Sequence, residues 1–195
     1  MDFRRLLIVA IALSLMAGPA AAAPQGKVVI AQGVDPTTLD TMNQQETPAS
    51  VVAAHLFDTL VERDPNLKVV PALAAELPKL VSPQVWEVKL RRGVKFHNGE
   101  EFDAESVKFS LERVKLPAMR ASSNFRPIDR VEVVDPYTVR VHTSKPWPTF
   151  ITIMGSRQAS MYPPKAGRLR ATIKVTANDV GRIASTPVSR SLERA

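Results

Sequence analysis

Apolar and polar positions change period several times along this chain, and each change marks an element. Residues 27–31, Lys-Val-Val-Ile-Ala, form a short β-branched run bounded by Gly33 and Asp35-Pro36, which predicts a buried strand leading into a loop. The loop, residues 32–45, is polar and structured by Pro36. Thr47-Pro48 predicts a helix start, because a first-turn proline lacks an N–H that would find no intrahelical partner anyway. Val51, Val52, Leu56 and Leu60 follow at helical intervals and define the expected core face. Asp64-Pro65-Asn66 separates Leu60-Val61-Glu62 from residues 67–70, the signature of a hairpin. Residues 71–80 read as a short helical piece.

Further on, residues 85–90 alternate strictly, which predicts a strand with Trp86, Val88 and Leu90 buried and Glu87 and Lys89 turned away. Gly93 ends it, and Arg91, Arg92 and Lys95 are expected to face solvent. Asn98-Gly99 is a turn signal, after which Asp103 is placed to cap a helix over 104–115 whose inner face is Ala104, Val107, Leu111 and Val114. Residues 130–143 form the clearest hairpin, two alternating strands joined at Asp135-Pro136-Tyr137. A short helix is expected within 146–154. Helices mixed with short strands, without internal repeats, predict an α/β or α+β lobe of roughly 140 residues around one core.

The first residues belong to a different category. Arg4 and Arg5, an apolar run over 6–17, Gly18-Pro19 and the small residues 20–23 read as a secretory signal over 1–22, cleaved after Ala22. A run of twelve is short for a bilayer span, which needs roughly 20 apolar residues. The expected product is an exported, periplasmic protein, free of a lipid anchor because no cysteine follows the cleavage site. Total absence of cysteine also excludes disulfides, thiolate metal sites and cysteine nucleophiles.

Charge sharpens the division. The chain carries a net +7, of which residues 24–166 hold +2 and the last 29 residues +4. The basic balance is mostly a property of the tail, so no chain-wide nucleic-acid surface is expected. The tail, 167–195, is rich in Arg and Ser, lacks a good apolar period and is expected to be disordered. The histidines, His55, His97 and His142, have no helical-spacing partners, so no metal centre is expected. There is no Gly-x-Ser-x-Gly elbow, Ser-x-x-Lys pair or phosphate loop. The chain is not expected to be an enzyme or to hold a cofactor.

Residues 90–114, Leu-Arg-Arg-Gly-Val-Lys-Phe-His-Asn-Gly-Glu-Glu-Phe-Asp-Ala-Glu-Ser-Val-Lys-Phe-Ser-Leu-Glu-Arg-Val, carry a family likeness. Strand, basic-Gly-Val-Lys-Phe-His-Asx-Gly turn and acid-capped helix ending in Ser-Leu-Glu-Arg resemble the bacterial extracellular solute-binding proteins of family 5, the oligopeptide, dipeptide and nickel-type components of ABC importers. Pro36 to Asp40 is similar to the family's Pro-x-x-Leu-Asp loop, and Pro71 to Ala74 to its Pro-x-Leu-Ala. The resemblance covers residues 27–166 and implies a type II periplasmic-binding-protein-like α/β fold, of which 23–166 would be the N-terminal part, an incomplete lobe portion. It also implies a peptide or other small solute as ligand and permease subunits as partners, with the membrane touched only through the permease and no nucleic acid bound.

From Gly167 the family's Gly-rich continuation is not found, which points to a truncated or frameshifted product unable to bind alone. By the resemblance Gly33, Val34 and Asp35 are candidate ligand-binding residues, since glycine admits close approach and free backbone groups can pair with a peptide. Ser50 and Arg157 are further candidates, the latter as a bidentate partner for a carboxylate. The alternative is a free-standing periplasmic protein-interaction module without solute binding.

Overall fold

The computed structural model describes residues 31–165. The signal segment, residues 27–30 of the strand expected over 27–31, and the basic tail lie outside the described residues. Two units divide the chain, Met1–Gly33 and Val34–Ala195, and the second holds the elements that follow.

Helix α1 (Thr47–Leu56) starts as the sequence predicts, with proline in its first turn. Strands β1 (Val61–Arg63) and β2 (Val69–Pro71) pair antiparallel, Val61 opposite Pro71. Between them the Asp64 carboxylate accepts the N–H groups of Asn66 and Lys68, both at 2.9 Å, and Leu67 is forced to a φ of 64°. A second sheet holds β3 (Lys79–Ser82), β4 (Val85–Lys89), β5 (Ile128–Asp135) and β6 (Thr138–Thr143), all antiparallel, in the order β3-β4-β6-β5. Helices α2 (Ala104–Val114), α3 (Ser122–Phe125) and α4 (Phe150–Met154), then a 3-10 turn over Arg157–Ala159, complete the fold.

Period-two alternation gives the sheet two unlike faces. Trp86 and Val88 of β4, Val131 of β5, and Val139 and Val141 of β6 are buried on one face, where α2 packs over β5 and β6. Register pairs them as Trp86 with Val141 and Val88 with Val139. Trp86 stacks on Phe150 with centroids 4.8 Å apart, and Trp147 meets Phe150 edge-on. The opposite face is polar: the Arg140 guanidinium reaches Glu87 at 3.0 Å, and His142 Nε2 lies 2.6 Å from the Glu132 carboxylate.

The turn before α2 needs its glycines. Gly93 and Gly99 have φ values of +71° and +85°, a region that L side chains rarely adopt. Asp103 caps the helix as expected, its Oδ1 accepting both the N–H and the hydroxyl of Ser106 at 2.9 Å. Ala104, Val107, Leu111 and Val114 are fully buried, and Arg91, Arg92 and Lys95 are exposed.

Three expectations are corrected. Residues 71–80 are not helical: Pro71 ends β2, Ala74 bridges to Leu90, and Lys79 opens β3. Unpaired backbone beside β4 gives this segment inter-strand hydrogen bonds, which outweigh the helix propensity of Ala72, Leu73, Ala74 and Ala75. The core face of α1 is Ala49 and Ala53 rather than Val51, which is 43% exposed, and Leu60 lies beyond the helix end. The helix expected within 146–154 is also shorter, since Pro146 to Thr149 precede it as coil and turn.

Candidate functional site

The polar loop ahead of α1 is anchored by charge buried beneath it. Asp40, 5% exposed, stands where the loop turns inward, and Arg113, 7% exposed, reaches it from the last turn of α2. The guanidinium grips both carboxylate oxygens, Nη2 donating to Oδ2 at 2.6 Å and Nη1 to Oδ1 at 3.1 Å. Such bidentate pairs are short and directional. Three more donors complete the carboxylate: the Met42 N–H at 3.2 Å, the Asn43 amide at 3.1 Å and the Tyr162 hydroxyl at 3.3 Å. Burial pushes the Asp40 carboxyl up, but the Arg113 guanidinium, helped by Met42 and Tyr162, holds it below its ordinary value.

Tyr162 ties a second strand of chain to the same point. Its hydroxyl accepts the Thr41 N–H at 3.0 Å and lies 2.9 Å from Thr41 Oγ1, while its own N–H donates to Ser110 Oγ at 2.8 Å. Its ring lies beneath Arg113 and beside Phe57, with centroids 5.0 Å apart in the latter case. Burial and the neighbouring Asp40 raise the phenol pKa, so it stays neutral.

Of the five candidate residues, four lie in the unit that holds this base and Gly33 in the other. Val34 and Asp35 are exposed on the loop, Val34 at 63%. Gly33, at the end of the other unit, is exposed with open space about its Cα, and its φ makes no demand for glycine. Ser50 is half-buried in α1, its hydroxyl donating to Gln44 Oε1 at 3.1 Å. Arg157 is half-buried on the 3-10 turn, and its Nη1 donates to the Phe57 carbonyl at 3.4 Å, just past the end of α1. The rise of a helix separates Ser50 from that end by about 10 Å. A side-chain contact thus links each of Ser50 and Arg157 to α1 or its approaches, whereas Val34 and Asp35 are exposed on the loop.

Asp40, Arg113 and Tyr162 were not candidates from the sequence. Asp40 and Arg113 both lie within the family-like motifs, but nothing in a one-dimensional pattern pairs positions 73 residues apart. Two open grooves, of about 490 and 420 Å³, lie elsewhere; one is lined by Lys89, Arg92, Asp135 and Tyr137, the other by Glu100, Glu101 and Asp103. No group of three His, Asp or Glu side chains among the described residues could hold a metal ion. Nor is any described helix long and apolar enough to cross a membrane.

Known proteins resemble this chain in both sequence and structure. Residues 68–189 match the family described as bacterial extracellular solute-binding proteins, family 5 Middle. The glutathione-binding protein GsiB of Salmonella paratyphi A is 34% identical over 163 residues, 83% of this chain and 31% of that protein. The binding protein AgaA of A. tumefacien R10, solved with agropinic acid, superposes with a TM-score of 0.68 at 27% identity, covering 73% of this chain and 29% of its own. The ABC transporter-associated periplasmic binding protein DppA of Helicobacter pylori, solved with a peptide, gives a TM-score of 0.61 at 23% identity over 70% of this chain and 31% of its own, a likeness of fold. The chain thus spans about a third of the length of the relatives it matches, and its mixed α/β fold is that of the periplasmic binding proteins. With residues 68–189 matching the family description and 83% of the chain aligned at 34% identity, this chain belongs to the bacterial extracellular solute-binding proteins of family 5.

Proposed function

We propose that this chain contributes the N-terminal part of the substrate-binding component of an ABC importer, with a peptide or similar small solute as its ligand. The observation that carries the reading is the match to the family 5 description over 68–189, together with 34% identity to a glutathione-binding protein. Glutathione is itself a small peptide, and the DppA structure holds one. An exposed loop on a buried, hydrogen-bonded base suits such a ligand, because exposed loop backbone can pair with a peptide without an activated side chain. In this reading residues 1–22 direct export to the periplasm and are removed, 23–166 form the lobe portion, and 167–195 are a basic tail. Permease subunits are the protein partners, and hydrolysis of ATP belongs to the transporter.

A chimera tests the reading. Residues 27–165 replace the matching stretch of Salmonella paratyphi A GsiB, and the product is titrated calorimetrically with glutathione and a set of di- to tetrapeptides. Micromolar binding of at least one, weakened about tenfold by Asp35→Ala, is the expected result, since truncating a polar contact costs roughly 1–2 kcal/mol. A folded chimera that binds none of them would count against it.

A further inference from the structure

We propose that Arg113 and Tyr162 are positioning residues for the loop that carries Val34 and Asp35: neither meets a solute, and both fix where the loop stands through its root at Asp40, Thr41 and Met42. The proposal rests on the reading of that loop as ligand-facing. Arg113 comes from α2 and Tyr162 from the segment after the 3-10 turn, 73 and 122 positions from Asp40, yet both end on one carboxylate. Both are buried, at 7% and 3% exposure.

Their hydrogen bonds reach main chain rather than only side chain. Tyr162 takes the Thr41 N–H, and the carboxylate that Arg113 orients takes the Met42 N–H. On the other side of the root, the Asp40 N–H donates to Thr38 Oγ1, and Thr37 Oγ1 bonds the Glu46 carboxylate at the start of α1. The root is therefore held from α2, from the Met161-Tyr162 segment and from the approach to α1.

Packing alone would not call for this arrangement. Apolar side chains of similar volume fill such a space without the desolvation cost of two charges, and often with equal or better stability. What the charged version adds is direction. A two-pronged guanidinium–carboxylate pair fixes the plane of the carboxylate, and through it the backbone it accepts from. Ligand-facing groups need their supports held to within about 0.5 Å, and locked neighbouring hydrogen bonds are how proteins achieve it.

Hydrogen exchange resolved by residue, on the full 195-residue chain without ligand, tests the proposal. Tyr162→Phe removes one hydroxyl and keeps the ring against Phe57 and Arg113. Arg113→Lys keeps the charge and loses the planar fork. The expected result in Tyr162→Phe is exchange about tenfold faster at Thr41, Met42 and whichever of residues 34–39 are protected, with the sheet amides of Val131, Val139 and Val141 changed less than twofold. Arg113→Lys should give the same pattern, more strongly. Unchanged loop amides, or loop and sheet accelerated by one common factor as a merely structural role requires, would overturn it. If Arg113→Lys does not fold, Tyr162→Phe decides alone. Exchange needs no ligand, so a failure of the ligand-facing reading shows separately, as unaltered chimera binding on Asp35→Ala.

Discussion

Trp86 shows how far one side chain can be read from its neighbours in sequence. Alternation over 85–90 puts it inward, and it lies 8% exposed against Phe150. Trp86→Ala should cost about 3–5 kcal/mol in urea unfolding, the scale of a large aromatic removed from a core. Its indole N–H finds no partner among the described residues, so Trp86→Phe, which keeps the stack and removes that donor, should cost less than about 1.5 kcal/mol. Asp40 is the opposite case, a residue whose role depends on a distant partner. Its carboxyl titrates below the ordinary value in the folded chain, so the unfolded chain binds a proton first. The stabilisation it supplies is present above an unfolded pKa of about 3.9 and is lost as pH falls through the folded value. Arg113→Met strands the buried carboxylate and should destabilise by about 3–5 kcal/mol at pH 7. With the guanidinium gone, burial is opposed only by the hydrogen bonds from neutral groups, Met42, Asn43 and Tyr162. The loss of stability between pH 7 and pH 3 should therefore be smaller in the variant, as measured by urea melts at both pH values.

At the scale of elements, turn chemistry was more legible than helix extent. The Asp64-Pro65-Asn66 cluster predicts a hairpin, and β1 and β2 form it, but at the expense of Leu67, which is held at a φ of 64° and 72% exposed. A leucine in the left-handed region costs roughly 1–2 kcal/mol relative to a permitted conformation. Leu67→Gly should raise the stability by about 1 kcal/mol, seen as a higher midpoint in thermal melting; an unchanged or lower midpoint would show that the turn relaxes around the leucine. Residues 71–80 were misread for a reason that local sequence cannot supply. Alanine and leucine favour a helix when nothing else competes, but here the end of β4, beyond the stretch paired with β3, takes the segment instead: Ala75 donates its N–H to the Lys89 carbonyl at 2.8 Å. The face of α1 was misassigned in a related way, because apolar spacing marks the large residues, whereas the residues buried in α1 are the small ones, Ala49 and Ala53.

For the whole molecule, the expected outcome is that the 195-residue chain binds solute no more tightly than millimolar. Periplasmic binding proteins gain affinity by closing around the ligand and removing its surface from water, and this chain spans about a third of the length of its relatives. Calorimetric titration with glutathione, short peptides and metal chelates checks it, and micromolar binding would overturn it. A sharp, cooperative thermal melt with no binding would favour the free-standing interaction module instead. What the sequence determined by itself was everything that depends on neighbours a few residues apart: the strand over 85–90, the Asn98-Gly99 turn, the Asp103 cap, the hairpin at Asp135-Pro136-Tyr137, and through them the family. Those features follow from backbone sterics and alternating burial, which act over two to four positions. Only the tertiary structure decided that Asp40, Arg113 and Tyr162 meet, that residues 71–80 lie against strands instead of forming a helix, and that Ser50 and Arg157 hydrogen-bond at α1 and its approaches. Long-range pairs of charges and sheet edges depend on where distant segments land, and no local periodicity encodes that.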